Sequence, residues 1–302
     1  MYDIIIVGAG PAGMTAGIYA KRANKNVLIL EGRTYGGELM DTNKIENYPG
    51  EKSISGIDLA NKFYEQIENL KIDIKFEKVV EIKDLEDHKE IKTAKNTYTC
   101  KAVILATGRD KRLLGLPMEK ELTGKGISYC ATCDGHFFKN QEVAIVGAGK
   151  TAILDASYLS GICKKVYLIY RRDEFREDLS ELDGKDNIEY IMSSNVTKLI
   201  GTDKLEKIEI TNNDKSTKEL PVACLFVAIG RIPENQNFEK IVELSPDGYI
   251  VAKEDCHTSA PGIFAAGDAR VKSLRQIVTA TGDGAVAATE AIKYINKIKD
   301  VK

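Results

Sequence analysis

The chain has 302 residues, of which 43% are hydrophobic and 29% charged, and its formal charge is −2. This length can bury two cores, and the composition excludes a disordered protein. The near-neutral charge gives no basis for binding nucleic acid or a membrane surface, so we expect a small-molecule or protein partner. Because the chain shows no secretory signal and no apolar run of about 20 residues, we expect a cytoplasmic protein.

The first element is a nucleotide-binding turn. The β-branched run DIIIV at 3–7 leads into GAGPAG, then a predicted helix, then the strand NVLIL, which ends at Glu31. In this pattern the glycines allow a tight turn, close approach of a pyrophosphate and close helix packing, while the acid accepts hydrogen bonds from a ribose. The candidate residues are Gly8, Gly10, Pro11, Ala12, Gly13 and Glu31.

A further predicted strand, KAVILATGRD, follows a charged hairpin within 72–100. It ends at Ala106, Thr107 and Gly108, which we expect to reach back toward the nucleotide.

Two of the six cysteines, Cys130 and Cys133, form a close pair in YCATCDGHFF. A Cys-x-x-Cys pair can be a redox disulfide, half of a zinc site or an accident of composition. No second pair exists and the three histidines are scattered, so we expect no metal site. The other cysteines, at 100, 163, 224 and 256, lie in or beside apolar segments and are interpreted as packed small hydrophobes.

The nucleotide-binding unit then occurs a second time, in EVAIVGAGKTAILDASYLSGICKKVYLIYRRDEFR. Its turn carries Gly147, Gly149, Thr151 and Ala152, and its second strand runs into Arg171 and Arg172, with Arg176 following. Guanidinium groups hold a 2′-phosphate, so we predict NADPH here, the alternative being a solvated charged loop. Two dinucleotides in one chain indicate electron transfer from nicotinamide to flavin.

A later strand, IFAAGD, places Gly267 and Asp268 where a flavin would need them, and a buried helix follows. We therefore predict an α/β protein with two Rossmann-like dinucleotide-binding domains of the three-layer ββα type, the second inserted in the first. The FAD-binding domain is expected to comprise 1–112 and 237–302. The NADPH-binding domain, with the cysteine pair, is expected to comprise 113–236, and the proline- and glycine-containing crossings are predicted linkers.

In this order, the motifs resemble those of the low-molecular-weight thioredoxin reductases. The resemblance rests on GAGPAG, GGELMDTNKIENYPG, ATG, CATCDG, GAGKTA, RRDEFR, GIFAAGD and RQIVTATGDG, and covers nearly the whole chain.

The resemblance implies FAD in the first domain, a homodimer, and thioredoxin or a thioredoxin-like protein as the substrate. It implies that Cys133 faces the flavin, that Cys130 attacks the substrate disulfide and that Asp134 is the acid and base. Asp134 as an ordinary Asp-Gly turn residue is the alternative. The residues that it places around the flavin are Gly36, Gly37, Glu38, Asn47, Asp268, Arg275, Gln276 and Ile277.

Some positions depart from the family pattern. Glu38 stands where glutamine is usual, and Tyr170 and Lys150 replace a histidine and an asparagine. An acidic stretch with Glu177, Asp178, Glu181 and Asp183 follows Arg176, and like-charge repulsion there would weaken a phosphate site.

Two other functions therefore stay open. One is a thioredoxin reductase of the same fold that takes electrons from ferredoxin or a deazaflavin instead of NADPH. The other is a non-catalytic sensor that binds flavin and reports thiol state to a protein partner.

Overall fold

A computed structural model describes residues 1–42, 44–85 and 87–300, with side chains as far as residue 297. It divides into two compact units, Met1–Asp110 with Ile232–Lys302 (unit 1) and Lys111–Arg231 (unit 2). The chain thus leaves unit 1, forms unit 2 and returns.

Unit 1 is built on a seven-stranded sheet with the order β3-β2-β1-β6-β5-β4, and β17 pairs with the second half of β6. Strands β3, β2, β1, β6 and β17 pair in parallel, whereas β4 and β5 form an antiparallel ribbon with the first half of β6. The strands are β1 Tyr2–Val7, β2 Val27–Leu30, β3 Asp73–Lys75, β4 Val79–Asp84, β5 Lys89–Thr93, β6 Thr97–Leu105 and β17 Ile263–Ala265. The helices are α1 Pro11–Arg22, α2 Gly56–Asn69 and α6 Ile277–Asp300.

Unit 2 has a parallel five-stranded sheet, β11-β10-β9-β15-β8, and a separate antiparallel sheet, β12-β13-β14. Its strands are β8 Ile127–Ser128, β9 Glu142–Val146, β10 Lys165–Ile169, β11 Ile188–Ile191, β12 Ser194–Ile200, β13 Lys207–Asn212, β14 Thr217–Pro221 and β15 Cys224–Val227. Its helices are α3 Glu119–Leu122, α4 Ala131–Asp134 and α5 Lys150–Ser160.

Each parallel sheet is buried on both faces, which is why its strands are almost continuously apolar. In β1, Ile4 and Ile6 pack with the helices, while Ile5 and Val7 pack on the side of the antiparallel ribbon. In β9 the alternation of Val143 and Ile145 with Ala144 and Val146 is the same. Both units therefore have three layers, and the predicted fold class is confirmed.

The division between the units lies slightly earlier than the expected positions 112 and 237. Asp110–Lys111 (β7) and Arg231–Ile232 (β16) form short strands that pair with each other. Asn235 is fully buried and donates hydrogen bonds to the carbonyl oxygens of Gly248 and Ala269. These bonds attach the segment after β16 to unit 1. Assignment of FAD and NADPH to the two units stays a prediction.

Within the described part of the chain, no helix has both the length and the apolar character needed to cross a membrane. In the same residues, no group of three or more His, Cys, Asp and Glu side chains is placed to hold a metal ion.

Candidate active site

The glycine turn of unit 1 joins β1 to α1 and leaves a helix N-terminus open. Gly8 has φ +109°, and a Cβ atom there would lie 2.3 Å from the Ala106 carbonyl oxygen. A Cβ on Gly13 would lie 1.9 Å from the Gly8 carbonyl oxygen, whereas one on Gly10 would meet nothing within 4 Å. Helix α1 begins at Pro11 and has no side-chain cap. Its free amide groups and positive dipole end therefore face open space at Gly10, as a pyrophosphate requires.

Glu31 is held by the turn that precedes it. Its Oε2 accepts a hydrogen bond from the Ala9 amide at 2.7 Å, and its Oε1 accepts one from the Arg33 amide at 2.8 Å. A carboxylate can accept about four hydrogen bonds, so both oxygens retain capacity for ribose hydroxyls.

Glu38 and Asp268 are brought together by a residue that the sequence did not indicate. Gly36 and Gly37 have φ values of +93° and +57° and lead into a short 3₁₀ helix that starts at Gly37. Arg109, just after Gly108, donates from Nη2 to Glu38 at 3.2 Å and to Asp268 at 2.9 Å. The result is a cluster of one guanidinium between two carboxylates.

Asp268 lies in a polar setting that is largely shielded from water. Burial raises the pKa of its carboxyl, and the nearby charges of Arg109, Lys272 and Arg275 act in the opposite direction. Its Oδ1 is buried and has no hydrogen-bond partner among the described residues, and the same holds for Arg109 Nε and Arg275 Nε. Buried polar atoms are rarely left without partners, so these atoms mark where a polar ligand would bind.

Other predicted flavin residues also come together in unit 1. Asn47 donates from Nδ2 to Gln276 Oε1 at 2.8 Å, although the two are 229 positions apart. The Arg275 guanidinium lies 4.0 Å from the centre of the Tyr249 ring. Ile277 begins α6 and packs against the core. Gly267, with φ +74°, packs against Ala12, since a Cβ on Gly267 would lie 2.8 Å from the Ala12 Cβ.

Two further sets of hydrogen bonds were not predicted from the sequence. Thr107 donates from its hydroxyl to Asn235 Oδ1 at 2.8 Å. Asp283 of α6 accepts from the Gly267 amide at 2.9 Å and from Arg270 and Lys272 at 2.8 Å. Together these bonds fix both strand ends that border the cluster. No local signal could have found them, because each joins distant segments.

The glycine turn of unit 2 repeats the geometry of unit 1. Gly147 has φ +130°, and a Cβ there would lie 2.2 Å from the Ala228 carbonyl oxygen. A Cβ on Gly149 would meet nothing within 4 Å, and α5 has no side-chain cap. Ala152 is fully buried in the third position, whereas Thr151 is exposed.

The three predicted phosphate-binding arginines lie in the loop after β10. Arg171 and Arg176 are exposed and Arg172 is half-buried. No hydrogen bond or ion pair of their guanidinium groups occurs among the described residues. Tyr170 stacks on Phe175 at 5.5 Å between ring centres, and Phe175 meets Tyr190 edge-on at 5.6 Å. This aromatic ladder closes the loop that carries the arginines.

The acidic stretch after Arg176 does not use these arginines. Asp178, for example, accepts hydrogen bonds from the amide and the hydroxyl of Ser180. The repulsion that these carboxylates would exert on a bound phosphate stays a prediction.

Cys130 and Cys133 form a disulfide, with their Cα atoms 5.3 Å apart. Cys130 caps α4, because its sulfur accepts from the Cys133 amide at 3.2 Å. Cys133 is exposed and Cys130 is half-buried. Which sulfur attacks the substrate stays a prediction, but Cys133 is the more accessible of the two.

Asp134 directly follows Cys133 in the chain and ends the same short helix. Its carboxylate accepts a hydrogen bond at 2.6 Å from the hydroxyl of Ser128, which is almost fully buried. Asp134 ends the single-turn helix α4 and Gly135 begins a short 3₁₀ helix, so the acid–base role of Asp134 and its alternative as a turn residue both stay predictions. Gly135 packs closely, since a Cβ there would lie 2.8 Å from Leu159 Cδ2.

The remaining cysteines are buried and free. Burial raises the pKa of Cys100 and Cys256 to about 12 and that of Cys163 to about 11, and it also raises the pKa of Cys224. Burial and a raised pKa both disfavour the reactive thiolate, in keeping with the interpretation of these cysteines as packing residues.

Comparison with known proteins gives a consistent result. Residues 2–284 match the family described as pyridine nucleotide-disulphide oxidoreductase. A thioredoxin reductase of Listeria innocua is 40% identical over 99% of this chain and 96% of its own length. The crystal structure of Lactococcus lactis thioredoxin reductase superposes with a TM-score of 0.88 at 36% identity, covering 98% of this chain and 100% of that one.

A ferredoxin-flavin thioredoxin reductase from Clostridium acetobutylicum is also similar. It is 31% identical with a TM-score of 0.56, and the match covers 99% of this chain and 98% of that one.

These matches confirm the resemblance drawn from the motifs and make the chain an oxidoreductase whose family uses flavin and nicotinamide cofactors. The chain belongs to the pyridine nucleotide-disulphide oxidoreductases and, among them, to the low-molecular-weight thioredoxin reductases.

Proposed function

We propose that this chain is a FAD-dependent thioredoxin-disulfide reductase that passes electrons from NADPH, through the flavin and Cys130–Cys133, to thioredoxin or a thioredoxin-like protein. The observation that carries the proposal is the combination of an exposed Cys-x-x-Cys disulfide with two uncapped glycine turns. A sensor would need no second dinucleotide site.

FAD suits the donors of unit 1. The open α1 terminus would hold the pyrophosphate, Glu31 the ribose hydroxyls, and the buried polar atoms of Asp268, Arg109 and Arg275 the remaining polar groups. When bound, FAD supplies two-electron acceptance from nicotinamide and donation to a disulfide.

NADPH suits unit 2. Arg171, Arg172 and Arg176 carry no competing ion pairs in the described residues, and the ladder of Tyr170, Phe175 and Tyr190 holds their loop. A 2′-phosphate would give these guanidinium groups charge-assisted hydrogen bonds, which the ribose of NADH cannot.

The cysteine pair performs thiol-disulfide exchange in its reduced, dithiol form. One thiolate attacks a sulfur of the substrate disulfide and forms a mixed disulfide, and the substrate's second sulfur leaves as a thiol. The other cysteine then attacks the first, which re-forms Cys130–Cys133 and releases the substrate as a dithiol, two electrons richer. Asp134, positioned by Ser128, would take and return the proton that the thiols exchange.

Substitution of each redox cysteine tests this function. We expect Cys130→Ser and Cys133→Ser each to abolish thioredoxin-dependent reduction of a disulfide reporter, because exchange needs both sulfurs. Cys163→Ala is the matched control and should retain turnover. Full turnover in either serine variant, or binding of flavin without any turnover in the wild type, would contradict the proposal, and the second result would favour a sensor.

Ferredoxin as electron donor is the second candidate, and the similarity to the Clostridium acetobutylicum enzyme favours it. A ferredoxin-dependent enzyme would not need the arginines of unit 2. Reduction of the flavin by ferredoxin and not by NADPH would therefore select this candidate.

The chain is also proposed to form a homodimer. Val271, Leu274, Val278 and Val286, on α6 and the segment before it, expose large apolar side chains. Such a set is typical of protein interfaces. Light scattering after gel filtration should give twice the mass of one chain, and a monomer at micromolar concentration would contradict a stable dimer.

A further inference from the structure

Arg109 is the cation that links the two flavin-site loops of unit 1. One loop is the 3₁₀ helix after Gly36 and carries Glu38, and the other follows β17 and carries Asp268. The Arg109 guanidinium lies 3.2 Å from the Glu38 carboxylate and 2.9 Å from that of Asp268. Its side chain is 21% exposed, so both contacts form in a partly dehydrated setting.

Glu38 creates the need for this cation. With glutamine at that position the site would contain the Asp268 carboxylate alone, whereas here a second carboxylate shares the same guanidinium. Lys272, another nearby cation, is hydrogen-bonded to Asp283 at 2.8 Å. Arg275 also lies near Asp268, but Arg109 is the cation that contacts both carboxylates, so without it their mutual repulsion would increase.

The backbone around Arg109 is anchored on both sides. Thr107 is bonded to the buried Asn235, and Asp110 forms a bidentate ion pair with Arg33. A guanidinium on so fixed a segment is pre-organised, so its contacts cost little side-chain ordering. The Nε of Arg109 is nevertheless buried without a partner in the described residues, as is Asp268 Oδ1. Both atoms are available to a ligand.

We propose that Arg109 is a positioning residue of the flavin site, which holds Glu38 and Asp268 in place and offsets their charge, and thereby sets the affinity for flavin and its reduction potential. This inference rests on the proposed binding of FAD to unit 1. It concerns the chain's own ion pairs, so it is separable from the identity of the electron donor.

A double-mutant cycle tests the proposal, with the variants Arg109→Gln, Glu38→Gln and the two combined. In Arg109→Gln, the positive charge shared by the two carboxylates is lost, which disfavours the electron-rich reduced flavin, so the midpoint potential should fall. Affinity for FAD should fall about tenfold to a hundredfold, the size expected for loss of a charge-assisted pair. Flavin fluorescence measures the affinity, and spectroscopic equilibration with a reference dye measures the potential.

The double variant separates charge compensation from a merely structural role. Removing the Glu38 charge should restore both the potential and most of the affinity that Arg109→Gln loses. Arg109→Lys keeps the charge, so its midpoint potential should stay near the wild-type value even if it binds FAD more weakly. If Arg109→Gln fails to fold, Arg109→Lys replaces it in the test. Lys101→Gln is the matched control, because Lys101 pairs with Asp3 at the other end of the same strands with similar exposure.

If the wild type binds flavin normally, either of two results would overturn this inference and leave the proposed function standing. One is an unchanged potential in Arg109→Gln, and the other is a double variant as impaired as Arg109→Gln. A wild-type protein that binds no flavin would overturn the proposed function, and this inference with it.

Discussion

The two glycine turns share one backbone and differ in the charges around them. In unit 1 and unit 2 the first glycine packs against the end of a neighbouring strand, at Ala106 and Ala228, and the second lies open at an uncapped helix terminus. In unit 1 the charged side chains contact one another or the turn, as Glu31 contacts the amides of Ala9 and Arg33. In unit 2 the three arginine side chains after β10 make no such contacts in the described residues.

This difference indicates how one scaffold selects two ligands. The turn provides amide groups for a pyrophosphate in either unit, and cannot by itself distinguish FAD from NADPH. On the proposed assignment, the residues that follow the second strand would select the ligand, through an oriented carboxylate for ribose hydroxyls in unit 1 or guanidinium groups for a 2′-phosphate in unit 2.

The largest effect should come from the third position of each turn. Gly13→Ala places a Cβ 1.9 Å from the Gly8 carbonyl oxygen, which helix α1 can avoid only by moving away from the sheet. We expect a loss of about 3 kcal/mol or more in stability and loss of bound flavin. Flavin content after gel filtration and thermal unfolding measure this.

Ala152→Gly is the matched change in unit 2. It removes a buried methyl group and adds backbone freedom, so we expect a cost of about 1 kcal/mol with the nucleotide site intact. Damage from Ala152→Gly as large as that from Gly13→Ala would contradict the expectation that unit 2 tolerates glycine at this position.

A smaller effect is expected from the arginines. Arg172→Gln and Arg176→Gln should each raise the KM for NADPH about tenfold to a hundredfold, the size expected for one charge-assisted contact to a phosphate, and leave that for NADH unchanged. Lys185→Gln, a lysine of unit 2 outside this loop, is the control. A parallel loss with NADH would point to loop damage rather than phosphate recognition.

The last prediction concerns two buried carboxylates, and its effect on stability depends on pH. Asp268 has cations beside it, whereas Asp155 on α5 has none among the described residues, and burial raises the pKa of Asp155 to about 6. The protonated form is favoured in the fold, so wild-type stability should fall as pH rises from about 4 to 6 and then level off.

Asp155→Asn removes this dependence and should be more stable than wild type by about 1–2 kcal/mol at pH 8. Thermal midpoints of both proteins between pH 4 and 8 test this. A stability difference that does not change with pH would show that Asp155 titrates normally.

Local patterns predicted most of the fold. The runs DIIIV and EVAIV are strands because β-branched residues suit a sheet buried on both faces, and the glycines marked where each strand turns into a helix. The return of the chain to unit 1 was also expected. Its exact position was not, because it depends on Asn235, whose bonds to Gly248 and Ala269 are tertiary.

The site was less predictable where it depends on contacts between distant segments. In the sequence, Arg109 is a polar residue after a glycine and carries no signal of a role. Only the fold places it between Glu38 and Asp268. The Asp134–Gly135 pair has the composition of a turn, and only the fold shows that Asp134 ends α4 and that Gly135 packs closely on Leu159. In both cases the arrangement depends on contacts between distant segments, which the local sequence does not specify.

The source of the electrons is the most direct test of the account. Bound flavin would be titrated anaerobically with NADPH, NADH and reduced ferredoxin, and its absorbance followed. The account predicts bleaching by NADPH at concentrations at least about tenfold below those needed with NADH, the discrimination expected from guanidinium groups that bind a 2′-phosphate. No bleaching by millimolar NADPH, with rapid bleaching by ferredoxin, would contradict it.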